Sequence, residues 1–308
     1  MTVGKGWVWA VFWAVVVGLL AIDVLVVNRK ARVLTVKGAT QWSAVLIGTA
    51  LFFGVLVAWV GGSTRALEYY AGYLIELSLS VDNLFVFILI FQYFAVPAVA
   101  QPKVLQVGVL SAMVMRGIMI GLGILVVRQF SWVIYVLGAV LAFTGIKMFR
   151  SEEIRIEPEK NPLVRFAKRV IPMSAAYDDA RFFVKTHRGW LATPLILVIL
   201  VVESTDLMFA IDSIPAIFSV TSDPFIIYSS NTFAIIGLRA MYFVLADAMS
   251  RFVYLKQGVA TILTFVGLKM VASAWVHIPI VLSLVVIVAI LSVAVVLSIR
   301  RNRLPAAA

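Results

Sequence analysis

The chain of 308 residues is 63% hydrophobic and only 13% charged, with a mean hydropathy of +1.05, which excludes a water-soluble domain of this size and makes lipid the solvent for most of it. It contains no cysteine and two histidines, His187 and His277, so disulfides, thiolate metal sites and cysteine-held iron–sulfur clusters are excluded. The net charge of +11 would suggest a nucleic-acid partner in a soluble protein, but its distribution among the helices assigns it to topology instead.

About 20 apolar residues cross the hydrocarbon core as a helix, and a backbone in lipid must satisfy its own hydrogen bonds. The apolar stretches therefore predict an all-α polytopic membrane bundle. The first span, 7–27, is too long for a signal-peptide core, lacks a preceding charged cluster and shows no clear cleavage site, so it is read as a retained helix. Spans at 42–60, 70–94, 104–127 and 131–149 follow. The polar segment 150–190 mixes nine basic with six acidic residues and carries Pro158, Pro162 and Pro172, which predicts a cytoplasmic linker with a short surface helix at 163–170. Spans at 191–217, 225–246, 253–275 and 278–299 bring the total to nine. Placing alternate loops on opposite sides puts 19 of the 26 Lys and Arg on one face, Lys5, Arg65 and Arg128 on the other, and four inside the spans. The positive-inside rule then sets the N-terminus outside and the C-terminus in the cytoplasm.

An internal repeat runs through three successive helices. SVDNLFVF at 80–87 resembles STDLMFAI at 204–211; VMRGIM around Arg116 resembles GLRAMY around Arg239; FTGIKMF around Lys147 resembles FVGLKMV around Lys269. The offsets are 124, 123 and 122 residues. A rival alignment pairs Glu76 with Asp206 and Asp82 with Asp212, and both alignments stay open at this point. Each copy holds an odd number of helices, so the second enters the membrane from the opposite side. The predicted organisation is helices one and two over 1–69, a first repeat over 70–149, the linker over 150–190, an inverted second repeat over 191–275, and a C-terminal helix with a basic tail over 276–308. Transporters built from inverted repeats bind substrate near the midplane, often at broken helices.

Six acids fall inside the spans: Asp23, Glu76, Asp82, Glu203, Asp206 and Asp212. Each charge in the bilayer costs about 2.5–3.5 kcal/mol on insertion scales, so such residues are functional candidates by default. At a rise of about 1.5 Å per residue, Asp82 lies roughly 18 Å from the outer end of its span, and Glu203 and Asp206 roughly 18 and 22 Å from the cytoplasmic end of theirs. All three are near the midplane, with Glu76 and Asp212 closer to the outer surface. Glu203 and Asp206 share a helix face, as do Glu76, Ser80 and Asn83. Pro215 removes a backbone hydrogen bond beside Asp212 and predicts a kink or unwinding there. Carboxylate, amide, hydroxyl and carbonyl oxygens favour magnesium, calcium or manganese over zinc or copper. Arg116, Arg239, Lys147 and Lys269 are candidate charge partners, either as fixed ion pairs or as competitors that release the cation. Asp23 reads as interfacial.

YLIELSLSVDNLFVF from Tyr73, VVESTDLMFAIDSIPAIF from Val201 and TSDPFIIYSSNTFAIIGLRAMYF from Thr221 resemble the TerC family of membrane proteins, its Alx branch included, over most of the chain. The resemblance implies manganese efflux across a bacterial cytoplasmic membrane, metal supply to exported metalloproteins, and a historical link to tellurite resistance. It places the family's acidic motif on Glu76, Asp82, Asn83, Glu203, Asp206 and Asp212. The residues alone point to a hard divalent cation; manganese comes from the resemblance. Transported Mn2+ with no organic cofactor, and no enzymatic activity, are expected: the chain holds no GxxxxGK[ST] loop, no HExxH motif and no nucleophile–base pair. The alternatives are export of a small organic cation, and a non-transporting membrane partner acting through the linker; exported metalloproteins or further copies of the chain are the expected protein partners.

Overall fold

The structure is a computed structural model that describes residues 3–27, 35–130, 132–150, 162–174, 176–186, 189–248, 254–276 and 278–303, with backbone only at 82, 85, 128, 150, 186, 211, 212, 247, 248, 255, 302 and 303. Both histidines lie outside the described residues. In chain order the elements are α1 (Gly6–Ile22), a π-helical turn (Asp23–Val27), α2 (Val36–Tyr93), α3 (Gln101–Gln129), α4 (Val133–Arg150), α5 (Pro162–Val170), β1 (Phe183–Thr186), β2 (Gly189–Ala192), α6 (Leu195–Phe218), α7 (Pro224–Ala248), α8 (Leu255–Ala272) and α9 (Ile280–Arg303). Every predicted span falls on one of these helices. By length and apolarity five described helices qualify as membrane-crossing: α1, α2, α3, α7 and α9. α6 is as long, but it carries Glu203, Asp206 and Asp212 along its length.

α2 contains two predicted spans joined without a loop. Gly62, at φ 83°, is its one non-helical residue, and a left-handed φ is open to glycine at no steric cost. The chain reverses there: the Tyr69 and Tyr70 hydroxyls donate to the carbonyls of Ala50 and Leu51 at 3.0 and 2.8 Å, and the Phe53 and Tyr69 rings lie 5.9 Å apart. The limbs 36–61 and 63–93 thus form an antiparallel pair. Thr35 caps the first limb through Gly38 N–H, and Asp223 caps α7 by accepting from Phe225 N–H while also taking Val3 N–H.

Two expectations change. α6 begins at Leu195 rather than 191 because Gly189–Ala192 is strand β2, paired antiparallel with β1 so that Phe183 stands opposite Ala192. Nor is α6 unwound at Pro215: the helix continues to Phe218, and Ser219 N–H returns to the Pro215 and Ala216 carbonyls.

α2 packs most extensively against α7, α4 against α8, and α3 against α6. The α4–α8 contact is close because it is made of small residues. A Cβ at Gly138 would stand 3.0 Å from the Gly267 carbonyl, one at Gly145 2.6 Å from Thr264 N and 2.8 Å from the Ala260 carbonyl, and one at Gly267 2.3 Å from Ala142 N. Large apolar side chains such as Phe52, Val114, Leu125 and Phe143 are exposed, the surface a lipid solvent requires. Trp7, Trp59, Trp132 and Trp275, all exposed, lie near helix ends, where amphipathic rings anchor at a membrane interface.

Candidate functional site

The second limb of α2 presents Glu76 to the bundle interior, with Ser80 one turn on and its hydroxyl 3.4 Å from the carboxylate. α3 lays Arg116 against it, and Arg116, 1% exposed, is the largest fully buried side chain among the described residues. Its Nη1 forms an ion pair with Glu76 and lies 3.4 Å from Ser213 Oγ. Its Nη2 reaches Asp206 Oδ1 at 3.4 Å. α7 completes the group: Asn231 Nδ2 donates to Glu76 Oε2 at 2.8 Å. Four helices therefore converge on one guanidinium and two carboxylates, all shielded from the surroundings.

The cluster is not saturated. Among the described residues, Asp206 Oδ2, Arg116 Nε and Asn83 Nδ2 are buried with no protein partner. A buried group without a hydrogen bond costs about 1–3 kcal/mol, so these atoms mark where a ligand gains most. Glu203 stands one turn from Asp206 toward the start of α6, half-buried, and accepts from Ser111 of α3. Gly108 of α3 faces the same stretch of α6: a Cβ there would make ordinary contacts, 3.4 Å from Val202 and 3.9 Å from Glu203 Oε1.

Of the six candidate ligands, Glu76 and Asp206 are brought to one guanidinium, Asn83 is buried and Glu203 flanks them. The side chains of Asp82 and Asp212 lie outside the described residues. Within the described set no three His, Cys, Asp or Glu side chains converge as a metal cage. Arg239 is held elsewhere: its Nη2 donates to Asp23 Oδ1 at 2.7 Å, and Trp42 Nε1 donates to the same oxygen at 2.8 Å. Asp23 is thus buried in an ion pair rather than interfacial. Lys147 is exposed near the end of α4, and Lys269 lines a cavity together with Glu68.

Asn231, Ser213 and Ser111 were not singled out from the sequence. The run YSSNT at 228–232 was the available signal, since Ser229, Ser230, Asn231 and Thr232 are all buried in an apolar helix.

Residues 61–304 match the profile described as the integral membrane protein TerC family. The chain is 46% identical over 302 residues to an uncharacterized membrane protein, STKORF319, of Myxococcus xanthus, covering 98% of this chain and 95% of that one. It is 46% identical over 299 residues to the putative membrane-bound redox modulator Alx of Escherichia coli K12, covering 94% and 93%. It is 44% identical over 267 residues to the chloroplastic thylakoid membrane protein TERC of Arabidopsis thaliana, covering 86% and 69%. No solved structure matches the chain.

Proposed function

The chain belongs to the TerC family of integral membrane proteins, and from that premise we propose that it exports a hard divalent cation, Mn2+ first, from the bacterial cytoplasm by alternating access. The observation that carries this reading is the sharing of one buried guanidinium by Glu76 and Asp206. Two carboxylates against one arginine leave a net negative charge at bilayer depth, where charge is costly. In the ion-free state Arg116 holds the carboxylates; an arriving divalent cation takes its place with one charge more. Oxygen donors suit Mn2+, Mg2+ and Ca2+, and Asp82, Asn83, Glu203 and Asp212 join the ligand set on the family resemblance.

The inverted repeat supplies the motion. Gly138 meets Gly267, and Gly145 meets Ala260; adding the offset of 122 to 138 and 145 gives 260 and 267, so the two contacts exchange. A two-fold axis requires self-complementary contacts of this kind. The name of the bacterial relatives, redox modulator, also favours manganese. This chain has no thiol, so a redox effect would follow from its cargo, and of the three oxygen-preferring ions manganese is the redox-active one.

The test is Mn2+ uptake into inside-out vesicles holding the purified protein, comparing the wild type with Glu76→Gln and Asp206→Asn and adding calcium, magnesium and zinc as competitors. Uptake that both substitutions abolish is expected. No uptake by folded wild type under a proton gradient of either sign sinks the export reading and favours a non-transporting partner role.

A further inference from the structure

Glu68, Gly72, Glu76 and Ser80 recur every fourth residue along the second limb of α2 and so share one face. The two carboxylates on this face are held alike. Glu76 is bound by the Arg116 guanidinium and the Asn231 amide. Glu68 accepts from Arg65 Nη1 at 2.7 Å and from the Thr221 hydroxyl at 2.6 Å. Their surroundings differ: Glu76 is buried, whereas Glu68 opens on a cavity of ≈ 260 Å³ lined also by Thr64, Ser219, Lys269 and Ser273. This cavity lies at the helix ends that the charge asymmetry places outside.

One layer of side chains separates the two acids. A Cβ on Gly72 would stand 2.9 Å from Ile217 Cδ1 and 3.0 Å from Ser230 Oγ. Ile217 is packed among Ile214, Phe218 and Ile227, so the layer is apolar on the α6 side. Ser230 immediately precedes Asn231, the amide that holds Glu76.

We propose that Glu68 is a second acidic station on the ion's way out, and that Ile217, closing over Gly72 and Ser230, is the barrier between the central cluster and the outside in this state. The proposal rests on the export reading. The Arg65 guanidinium on Glu68 and the Lys269 ammonium lining the same cavity both repel a resident cation, so the station passes the ion outward rather than storing it. Moving Ile217 off Gly72 needs no rupture of a polar contact, only separation of an apolar side chain from a glycine.

The chain's lack of cysteine makes the test direct. Ser273→Cys and Ser230→Cys are introduced singly, and a membrane-impermeant maleimide is applied to each side of the membrane. Ser273→Cys is expected to react from outside only, and Ser230→Cys to react from outside only when Ile217→Ala, or the milder Ile217→Val, is also present. Reaction of Ser230→Cys from outside in the Ile217 background overturns the barrier, as does its silence in both Ile217 variants. Reaction of Ser273→Cys from the cytoplasmic side, or from neither, overturns the outer station. In vesicles Glu68→Gln is expected to lower the maximal Mn2+ flux several-fold while half-saturation stays at the wild-type concentration; an unchanged flux overturns the role of Glu68. Labelling does not depend on the cargo, so the expected labelling without Mn2+ transport by the wild type fails the export reading and keeps the barrier.

Discussion

Glu76 and Asp206 stand 130 positions apart in the chain and meet the two terminal nitrogens of the same arginine. Glu76 comes from α2 and Asp206 from α6, so the pair ties two acidic helices together through the single charge that α3 supplies. Such a joint is strong while Arg116 is present and unstable without it.

Truncating Arg116 leaves two buried carboxylates uncompensated, a change that costs about 3–5 kcal/mol. Arg116→Ala is expected to unfold in detergent well below the wild type. Added Mn2+ should then raise its unfolding temperature more than it raises the wild type's, because the cation supplies the charge the guanidinium gave. Equal shifts would show that arginine and cation do not compete for the same oxygens.

The Asp23–Arg239 pair provides a contrast. Asp23→Ala also breaks a buried pair and strands the Trp42 N–H, with an expected loss of about 3–5 kcal/mol. Here the Mn2+-dependent shift in unfolding temperature should keep its wild-type size. A lost Mn2+ response would tie this pair to the proposed ion site.

Gly267→Ala places a methyl against the backbone of α4, which cannot rotate away, and overpacking of this kind costs about 1–3 kcal/mol. Gly121, with nothing within 4 Å of an added Cβ, is the control: alanine there is expected to stabilise α3 by about 0.5–1 kcal/mol. Thermal unfolding of the two variants in one detergent checks both signs.

Tyr177 lies in the segment between α5 and β1, outside the membrane spans, and its hydroxyl donates to the Phe94 carbonyl at 2.6 Å. Burial pushes its pKa above the ordinary tyrosine value, because the phenolate is the less solvated form there. A raised pKa favours the fold below the unfolded value near 10, and that contribution is lost as pH climbs through the folded pKa. Tyr177→Phe is expected to remove this alkaline step. An unchanged unfolding profile above pH 10 in the variant would assign the step to another group.

The bundle was legible because apolar length is a strong signal, and even the short helix α5 fell within one residue of its predicted start. Boundaries failed where the rule has no purchase. Gly61 and Gly62 let two spans meet with no loop, and β1–β2 hides in a segment whose mixed charge reads as linker. In the site, the acids were legible because each is conspicuous in lipid. Ser213 and Ser111 were not, since hydroxyls in apolar helices usually bond back to their own backbone, as Ser230 does to the Ile226 carbonyl, and the Asn231 amide carries no charge to make it conspicuous. Arg239 resembled Arg116 in sequence yet took a partner from α1's end, 216 positions away, a distance over which no local pattern speaks.

The turn at Gly62 ties the limb that carries Glu68 and Glu76 to one that carries no repeat motif. Glycine's wide conformational freedom serves here as a fixed elbow, because the Tyr69 and Tyr70 hydroxyls clamp the second limb to Ala50 and Leu51 of the first and the Phe53 and Tyr69 rings meet between the limbs. Any tilt of the acidic limb must therefore sweep the 36–61 limb through the surrounding lipid. The moving body is larger than the acidic limb, and in the proposed export cycle the thickness and fluidity of the bilayer become part of the load.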